Sequence, residues 1–392
     1  MTEWKTYRLG DIGKIITGKT PKTSIAENYG GDIPFLTPSD DLSGKYAPQT
    51  AKMLTQLGLS EVKKCLLPPN AVCVSCIGSD LGKAVKVTMP TVTNQRFNSI
   101  IPNEGFDANF LYYLMIIVGK ELNYLSKTST AVPIINKTQF SNVEVKVPPL
   151  PEQRRIAGIL GAIDDKIENN RRINTKLELQ AQALYKQWFV DNRKDDWEEK
   201  QLGEIALHIT DGVHNTVIDS PNGEYYLLSC KNIKSGQLFI GSNERRIDHE
   251  TFTKLRKRTR LSHGDILVTS VGTVGEMYLV NESPSNYEFQ RSVAIIKPNN
   301  DIISSYFLYA ALLYQQNEIK HLAHGAVQQC IFISDLKEYS LIVPNKDDIS
   351  AFDAVVAPMF NKIGELQKEN ETLATLRDTL LPKLMNGEIK TE

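Results

Sequence analysis

Residues 156–188 read IAGILGAIDDKIENNRRINTKLELQAQALYKQW. In this stretch Ile156, Leu160, Ile163, Ile167, Asn170, Asn174, Leu177, Ala181, Leu184 and Trp188 follow one another at alternating spacings of four and three. That rhythm predicts a long helix with a single heptad seam. Asp164, Asp165, Lys166, Glu168, Arg171 and Arg172 fill the outward positions. At about 1.5 Å per residue, a helix of about 38 residues is ~57 Å long.

Working outward, the seam has a counterpart 196 residues later, at Phe352, Val356, Met359, Ile363, Leu366, Asn370, Leu373, Arg377, Leu380 and Leu384, of which only Asn370 and Arg377 are not apolar. Two seams in one register predict helices that pair with each other; two amphipathic helices, each packed on its own domain, are the alternative. If the pair is antiparallel, Asn170 comes opposite Asn370, a polar contact that costs stability but fixes register and direction.

The sequence before each helix repeats as well, at an offset near 195. Trp4…Leu9-Gly10-Asp11-Ile12 returns as Trp197…Leu202-Gly203-Glu204-Ile205, and Val74-Ser75-Cys76-Ile77-Gly78 as Val268-Thr269-Ser270-Val271-Gly272. Gln95-Arg96 and Ile100-Ile101 return as Gln290-Arg291 and Ile295-Ile296, Phe110-Leu111-Tyr112 as Phe307-Leu308-Tyr309, and Val147-Pro148 as Val343-Pro344. Such a period is a domain plus its connector, not a solenoid repeat. Short β-type runs (71–77 and 143–147; 265–270 and 340–343) alternate with helical stretches at 110–125 and 306–322. The expected fold is therefore α+β: two similar globular domains in a pseudo-two-fold arrangement, joined by two long helices that form an antiparallel coiled coil. The expected boundaries are domain 1 at 1–150, a central helix at 151–191, domain 2 at 192–347 and a C-terminal helix at 348–388.

Composition narrows the function. With 45 basic and 46 acidic residues in 392 the chain is near neutral, so any nucleic-acid surface has to be local. Residues 1–150 hold 16 basic and 12 acidic side chains, whereas 197–347 hold 15 and 18. The densest basic cluster is Lys254, Arg256, Lys257, Arg258 and Arg260, readable as a solvated edge or a backbone contact. No apolar run reaches the length of a membrane span, and five cysteines without framework spacing suit a reducing compartment. A cytoplasmic protein with no membrane partner is expected.

Several motifs are weak. Gly13-Lys14-Ile15-Ile16-Thr17-Gly18-Lys19-Thr20 fits the phosphate-loop pattern, but neither the buried strand before it nor the helix after it is predicted. Cys73 and Cys76, three apart on a strand, point to opposite faces and cannot share a metal. The six histidines lack metal-ligand spacing, and Glu61/Lys63 and Glu144/Lys146 resemble nuclease pairs without the accompanying Asp. No catalytic residue, metal ligand or cofactor site is expected in this chain. The candidate DNA-contacting residues are Lys19, Thr20, Lys83, Gln95, Arg96, Thr128 and Ser129 in the first domain. In the second they are His214, Lys231, Asn232, Gln290, Arg291, His324 and Gln328. Arg and Gln bind guanine and adenine edges bidentately. The recurring Gln-Arg pair reads equally as a base contact or as a scaffold element.

The whole chain resembles the specificity subunit of type I restriction–modification systems. The resemblance rests on Val147-Pro148-Pro149-Leu150-Pro151-Glu152-Gln153-Arg154-Arg155-Ile156 opening the first helix and Leu376-Arg377-Asp378-Thr379-Leu380-Leu381-Pro382-Lys383-Leu384-Met385-Asn386-Gly387-Glu388-Ile389 closing the second. Leu9-Gly10-Asp11-Ile12, Gly18-Lys19-Thr20-Pro21 and Ile33-Pro34-Phe35-Leu36 also look typical of the family's recognition domain. The second helix departs from the pattern, with Val343-Pro344-Asn345-Lys346 in place of the Pro-Pro-Leu entry.

The resemblance implies a non-catalytic subunit whose two target-recognition domains each read half of an asymmetric bipartite site in double-stranded DNA. It implies that the helices set the spacer and dock two methyltransferase subunits, and that motor–nuclease subunits join for restriction. S-adenosylmethionine, ATP and Mg are then expected on the partners. A coiled-coil scaffold and a phosphate-loop nucleotide-binding protein are the alternatives.

Overall fold

The computed structural model describes residues 4–78, 80–126, 134–241, 244–325 and 329–390. Its contacts divide the chain into two units, residues 1–167 with 372–392, and residues 168–371. Both long helices are present, at Leu150–Tyr185 and Lys346–Met385, and a π-helical turn, Lys186–Asp191, prolongs the first. The division cuts through these helices instead of falling at their ends, so each unit carries part of both.

In the first unit β1 (Lys5–Arg8) pairs with β10 (Glu144–Val147) in an antiparallel ribbon. β2 (Gly13–Thr17), β6 (Val72–Ser75), β7 (Ala84–Lys86) and β9 (Phe97–Pro102) form a sheet of order β2-β9-β6-β7. A second sheet, of order β4-β3-β8-β5, contains β3 (Tyr29–Leu36), β4 (Met53–Leu54), β5 (Leu66–Leu67) and β8 (Thr91–Thr93). With its side chains alternating between two covered faces, β6 is buried along its whole length. Val72 and Val74 face one core, built on the helix Ala108–Ser126, while Cys73 faces another, with Leu36, Val85 and Phe97.

The second unit repeats the plan. β11 (Glu198–Gln201) pairs with β21 (Ser340–Val343). β12 (Ala206–Asp211), β17 (Ile266–Thr269), β18 (Met277–Leu279) and β20 (Val293–Pro298) form a sheet of order β12-β20-β17-β18. β13 (Tyr225–Leu228), β16 (Arg246–Ile247) and β19 (Tyr287–Phe289) form another, beside a hairpin of β14 (Ile233–Lys234) and β15 (Gln237–Leu238). Ile266 and Val268 face one core and Leu267 the other, as in β6. The helix expected at 306–322 is two helices, Ser305–Tyr314 and Gln316–His321. The break falls at Gln315, whose Oε1 accepts a hydrogen bond from the Tyr339 hydroxyl at 2.5 Å.

Each unit contains an antiparallel helix contact. In the first, Ile156 and Leu160 share a core with Leu381 and Leu384, and Leu380 packs at its margin. Asp164 Oδ1 accepts from Arg377 at 3.0 Å while its Oδ2 accepts from the Tyr113 hydroxyl at 2.6 Å. Ile167 is buried, and Ile163 and Leu373 are half-buried. In the second unit Asn170 Nδ2 donates to Asn370 Oδ1 at 2.9 Å and to Glu369 Oε2 at 2.8 Å. Leu177, Leu184, Phe352, Val356 and Ile363 belong to one core, with Met359 half-buried. Trp188 meets Phe352 edge-on, ring centroids 5.8 Å apart. The partner's number falls from 370 to 352 as the first helix rises from 170 to 188, so the two run in opposite directions here.

Entry to each helix is fixed locally. Gln153, buried, accepts from the Asp107 backbone N–H and donates to the Pro148 carbonyl, both at 2.9 Å. The second helix does without the proline entry because Asn345 caps it, its Oδ1 accepting from the Asp348 N–H at 2.9 Å. A side-chain acceptor at that position satisfies one of the orphan donors of the first turn.

Two stability effects follow. Asp164→Ala leaves the buried Tyr113 hydroxyl without its acceptor and Arg377 with only the exposed Asp378, and should cost about 1–3 kcal/mol in urea unfolding. Arg172→Ala, which breaks an exposed pair with Glu168, should cost under ~0.5 kcal/mol. In the second unit burial and the neighbouring Glu276 push the Glu178 carboxyl up from 4.5 to about 7. The folded state then holds this proton more tightly than the unfolded state, so stability should fall as pH rises from about 4.5 to about 7. Glu178→Gln should flatten that part of the stability–pH curve; an unchanged slope contradicts the assignment.

Candidate nucleic-acid interface

The reader candidates lie mainly on two turns in each unit. In the first, the residues after β2 lie against the turn between β8 and β9. Gly18 makes this approach possible, since a Cβ there would stand 2.1 Å from the Asn94 carbonyl oxygen. Lys19 N–H donates to the Thr93 carbonyl at 2.9 Å, and Thr20 Oγ1 donates to Gln95 Oε1 at 2.6 Å. The structure therefore brings Lys19, Thr20, Gln95 and Arg96 together, with Lys19, Gln95 and Arg96 exposed. Lys83 is exposed in another turn and paired with Asp80 at 2.6 Å.

The second unit uses the same device. A Cβ on Gly212 would stand 2.1 Å from the Phe289 carbonyl oxygen, Val213 N–H donates to that carbonyl at 2.9 Å, and Arg291 N–H donates to the Val213 carbonyl at 3.0 Å. His214 Nε2 is 2.6 Å from Asp211 Oδ2, and Arg258 donates to Asp211 Oδ1 at 3.1 Å and to the Gly212 carbonyl at 2.8 Å. This bracing by Asp211 and Arg258 was missed in the sequence; the Asp-Gly step standing where the first copy has Thr17-Gly18 is the signal that could have exposed it.

The backbone corrects the alignment of the Gln-Arg pairs. Phe97 N–H donates to Asn94, and Val293 N–H donates to Gln290. Cys76 N–H donates to Arg96, and Ser270 N–H donates to Ser292. Gln290 thus occupies the place of Asn94, Arg291 that of Gln95 and Ser292 that of Arg96. The Gln-Arg pairs do not sit at matching places, and the Ile100/Ile295 pairing slips by one for the same reason. Between β17 and β19 the second copy has gained two residues relative to the span from β6 to β8, which pair similarity alone places one short.

Other candidates separate from these turns. Asn232 is buried and spent on its own loop, Oδ1 accepting from Ser229 N–H at 2.9 Å and Nδ2 donating to the Phe239 carbonyl at 2.8 Å. It is withdrawn as a base reader. Lys231 is exposed 3.0 Å from Glu244, and His324 stacks on Phe332 with Nε2 3.2 Å from Asp335. Thr128, Ser129 and Gln328 lie outside the described residues.

The basic cluster sits on the helix His249–Thr259 and the residue after it. Arg256 is consumed by Glu288, which is fully buried, and by the Tyr287 carbonyl at 2.8 Å; Lys254, Lys257 and Arg260 are exposed.

The phosphate-loop pattern runs along strand β2 into a turn, and the next helical element is only a three-residue 3-10 turn at Ala26–Asn28, so the nucleotide-binding alternative lacks its geometry. Glu61 accepts from Lys22 N–H at 2.9 Å and from Asn28 Nδ2 at 3.3 Å, which holds its carboxyl below the usual range and commits it to a structural role. Among the described residues no group of three or more His, Cys, Asp or Glu side chains could hold a metal ion.

Two successive segments, 1–179 and 194–371, match the family model described as the type I restriction modification DNA specificity domain. The chain belongs to this family.

It is 29% identical over 413 residues to the type I restriction enzyme MjaIX specificity subunit of Methanocaldococcus jannaschii, covering 100% of this chain and 94% of that protein. A segment covering 43% of the chain is 34% identical, over 176 residues, to the HindI specificity subunit of Haemophilus influenzae. In fold it is similar to the crystal structure of the S subunit from M. genitalium, with a TM-score of 0.53, 17% identity and coverage of 100% and 97% of the two chains. The specificity subunit is the non-catalytic component of these systems, and no helix among the described residues is long and apolar enough to cross a membrane.

Burial also pushes the Cys73 thiol up to about 12, and that side chain is fully buried. Alkylation of the native protein at pH 8 should label the half-exposed Cys230 well before Cys73. Comparable rates would contradict the placement of Cys73 in the core.

Proposed function

We propose that this specificity subunit reads an asymmetric bipartite sequence in double-stranded DNA, one half-site per recognition domain. The carrying observation is the pair of equivalent turns, built by the same backbone hydrogen bonds, that present Thr20 and Gln95 in one unit and His214 and Arg291 in the other. A shared backbone with different polar side chains is what two different half-sites need: phosphate contacts hold the register and base-edge contacts discriminate. On this reading Lys19, Lys83, Arg96 and Lys231 serve backbone contact, while Thr20, Gln95, His214, Gln290, Arg291 and His324 are base readers. Thr128, Ser129 and Gln328 keep the role their sequence positions suggest.

The two long helices set the spacer and dock two methyltransferase subunits, which supply S-adenosylmethionine. Motor–nuclease subunits supply ATP and Mg chemistry. The setting is the cytoplasm. A rigid connection between reading domains converts helix length into half-site separation.

Methylation mapping of the chain assembled with its methyltransferase tests this. Arg291→Ala should relax one half-site, with a cost of about 1–3 kcal/mol at the affected base pair, and leave the other half-site unchanged. Gln95→Ala should do the reverse. Deleting one heptad from each helix, residues 171–177 and 364–370, should change the spacer and preserve both half-sites. Altered half-sites in the deletion, or both half-sites altered by a single substitution, would overturn the reading.

A further inference from the structure

The first unit contains a cleft of about 400 Å³ between the strand domain and the start of the first long helix. Its wall carries Lys86, only 5% exposed, and Lys45, whose side chain is 6% exposed. Lys45 is paired with Asp165 at 3.1 Å. Lys86 donates to Asn109 Oδ1, its Nζ lies 5.2 Å from the centre of the Tyr46 ring, and its charged neighbours Lys45, Asp107 and Asp165 stand further off. Asp107, also on the wall, is engaged as a helix cap, its Oδ1 accepting from the Asn109 and Phe110 N–H groups, both at 2.9 Å. Arg154 stands at the mouth, exposed, and among the described residues neither it nor Lys86 has a carboxylate partner at ion-pair distance. A nearly buried ammonium with no carboxylate at ion-pair distance is only partly compensated, and an anion that reaches it relieves that cost.

The helix keeps the cleft open. Gly158 and Gly161 line it, and a Cβ on Gly158 would meet nothing within 4 Å. The repeat supplies an internal comparison. The ladder pairs Lys86 with Val72 in the first unit and Leu279 with Ile266 in the second, so Leu279 takes the place of Lys86. The corresponding cleft there, about 240 Å³, is lined by His263, Asn281, Ser304 and Asp353, without a lysine. The charge is a property of one copy, not a requirement of the fold.

We propose that this cleft binds a small free oxyanion of the phosphate class, with Lys86 as its principal ligand and Lys45 and Arg154 completing the cationic wall. The ammonium of Lys86 replaces its lost hydration with a charge-assisted hydrogen bond to the anion, the Asn109 amide supplies a neutral partner, and the Tyr46 hydroxyl exchanges its 3.5 Å contact with Asp165 Oδ1 for the anion. The site is independent of base reading.

Titration calorimetry of the full chain with inorganic phosphate, at constant ionic strength in chloride, tests it. The expected result is saturable one-site binding, weakened at least tenfold by Lys86→Leu. Gly158→Leu, on an open helix face where leucine is the better helix former, should weaken it as much by filling the cleft while keeping every charge. Arg154→Ser should weaken it less. No heat beyond the chloride control, or affinity in the Lys86→Leu and Gly158→Leu proteins equal to that of the wild type, would overturn the proposal. A cognate duplex that abolishes phosphate binding in the wild type would assign the cleft to a DNA phosphodiester and overturn the free ligand.

Discussion

Everything in the molecule hangs on the heptad seam. An apolar stripe of period 3.5 along each long helix has to be covered, and in each unit it is covered by the other long helix together with the strand domain. In the second unit the Asn170–Asn370 hydrogen bond lies among apolar contacts; in the first, Asp164 binds Arg377 and Tyr113 at once. Both polar contacts weaken the seam relative to leucine and narrow its possible registers. Asn174 adds to this cost, buried with neither side-chain atom hydrogen-bonded to the protein.

The strand domains obey a second constraint, burial on both faces. β6 and its counterpart β17 pass between two cores, which accounts for their burial along the whole strand and for Cys73 as a core residue. With the interior set by such strands, variation is confined to the turns. There the two copies keep the backbone and change the side chains, Thr20 against His214 and Gln95 against Arg291. A fixed turn with exchangeable tips suits recognition better than catalysis.

The long helices were legible in the sequence because a seam leaves a periodic trace that survives divergence, and the strands because burial on two faces leaves apolar runs. The site was legible only in part. Asn232 looked like a surface reader, yet its loop folds back to use both ends of its amide. The Gln-Arg pairs looked equivalent, yet hairpin hydrogen bonds, which depend on tertiary pairing, shift them by one residue. The cleft at Lys45 and Lys86 was invisible, since 41 residues separate lysines that only the fold brings together. The break at Gln315 coincides with a hydrogen bond from Tyr339, a partner that local helical pattern does not encode.

The central claim is that two divergent copies of one reading domain recognise two different half-sites. The most direct measurement is the set of methylated sequences in DNA from a host lacking other methyltransferases, expressing this chain with its methyltransferase subunit. The account predicts one motif made of two dissimilar specified blocks separated by an unspecified spacer of fixed length. A single continuous motif, two identical blocks or a spacer of variable length would contradict it.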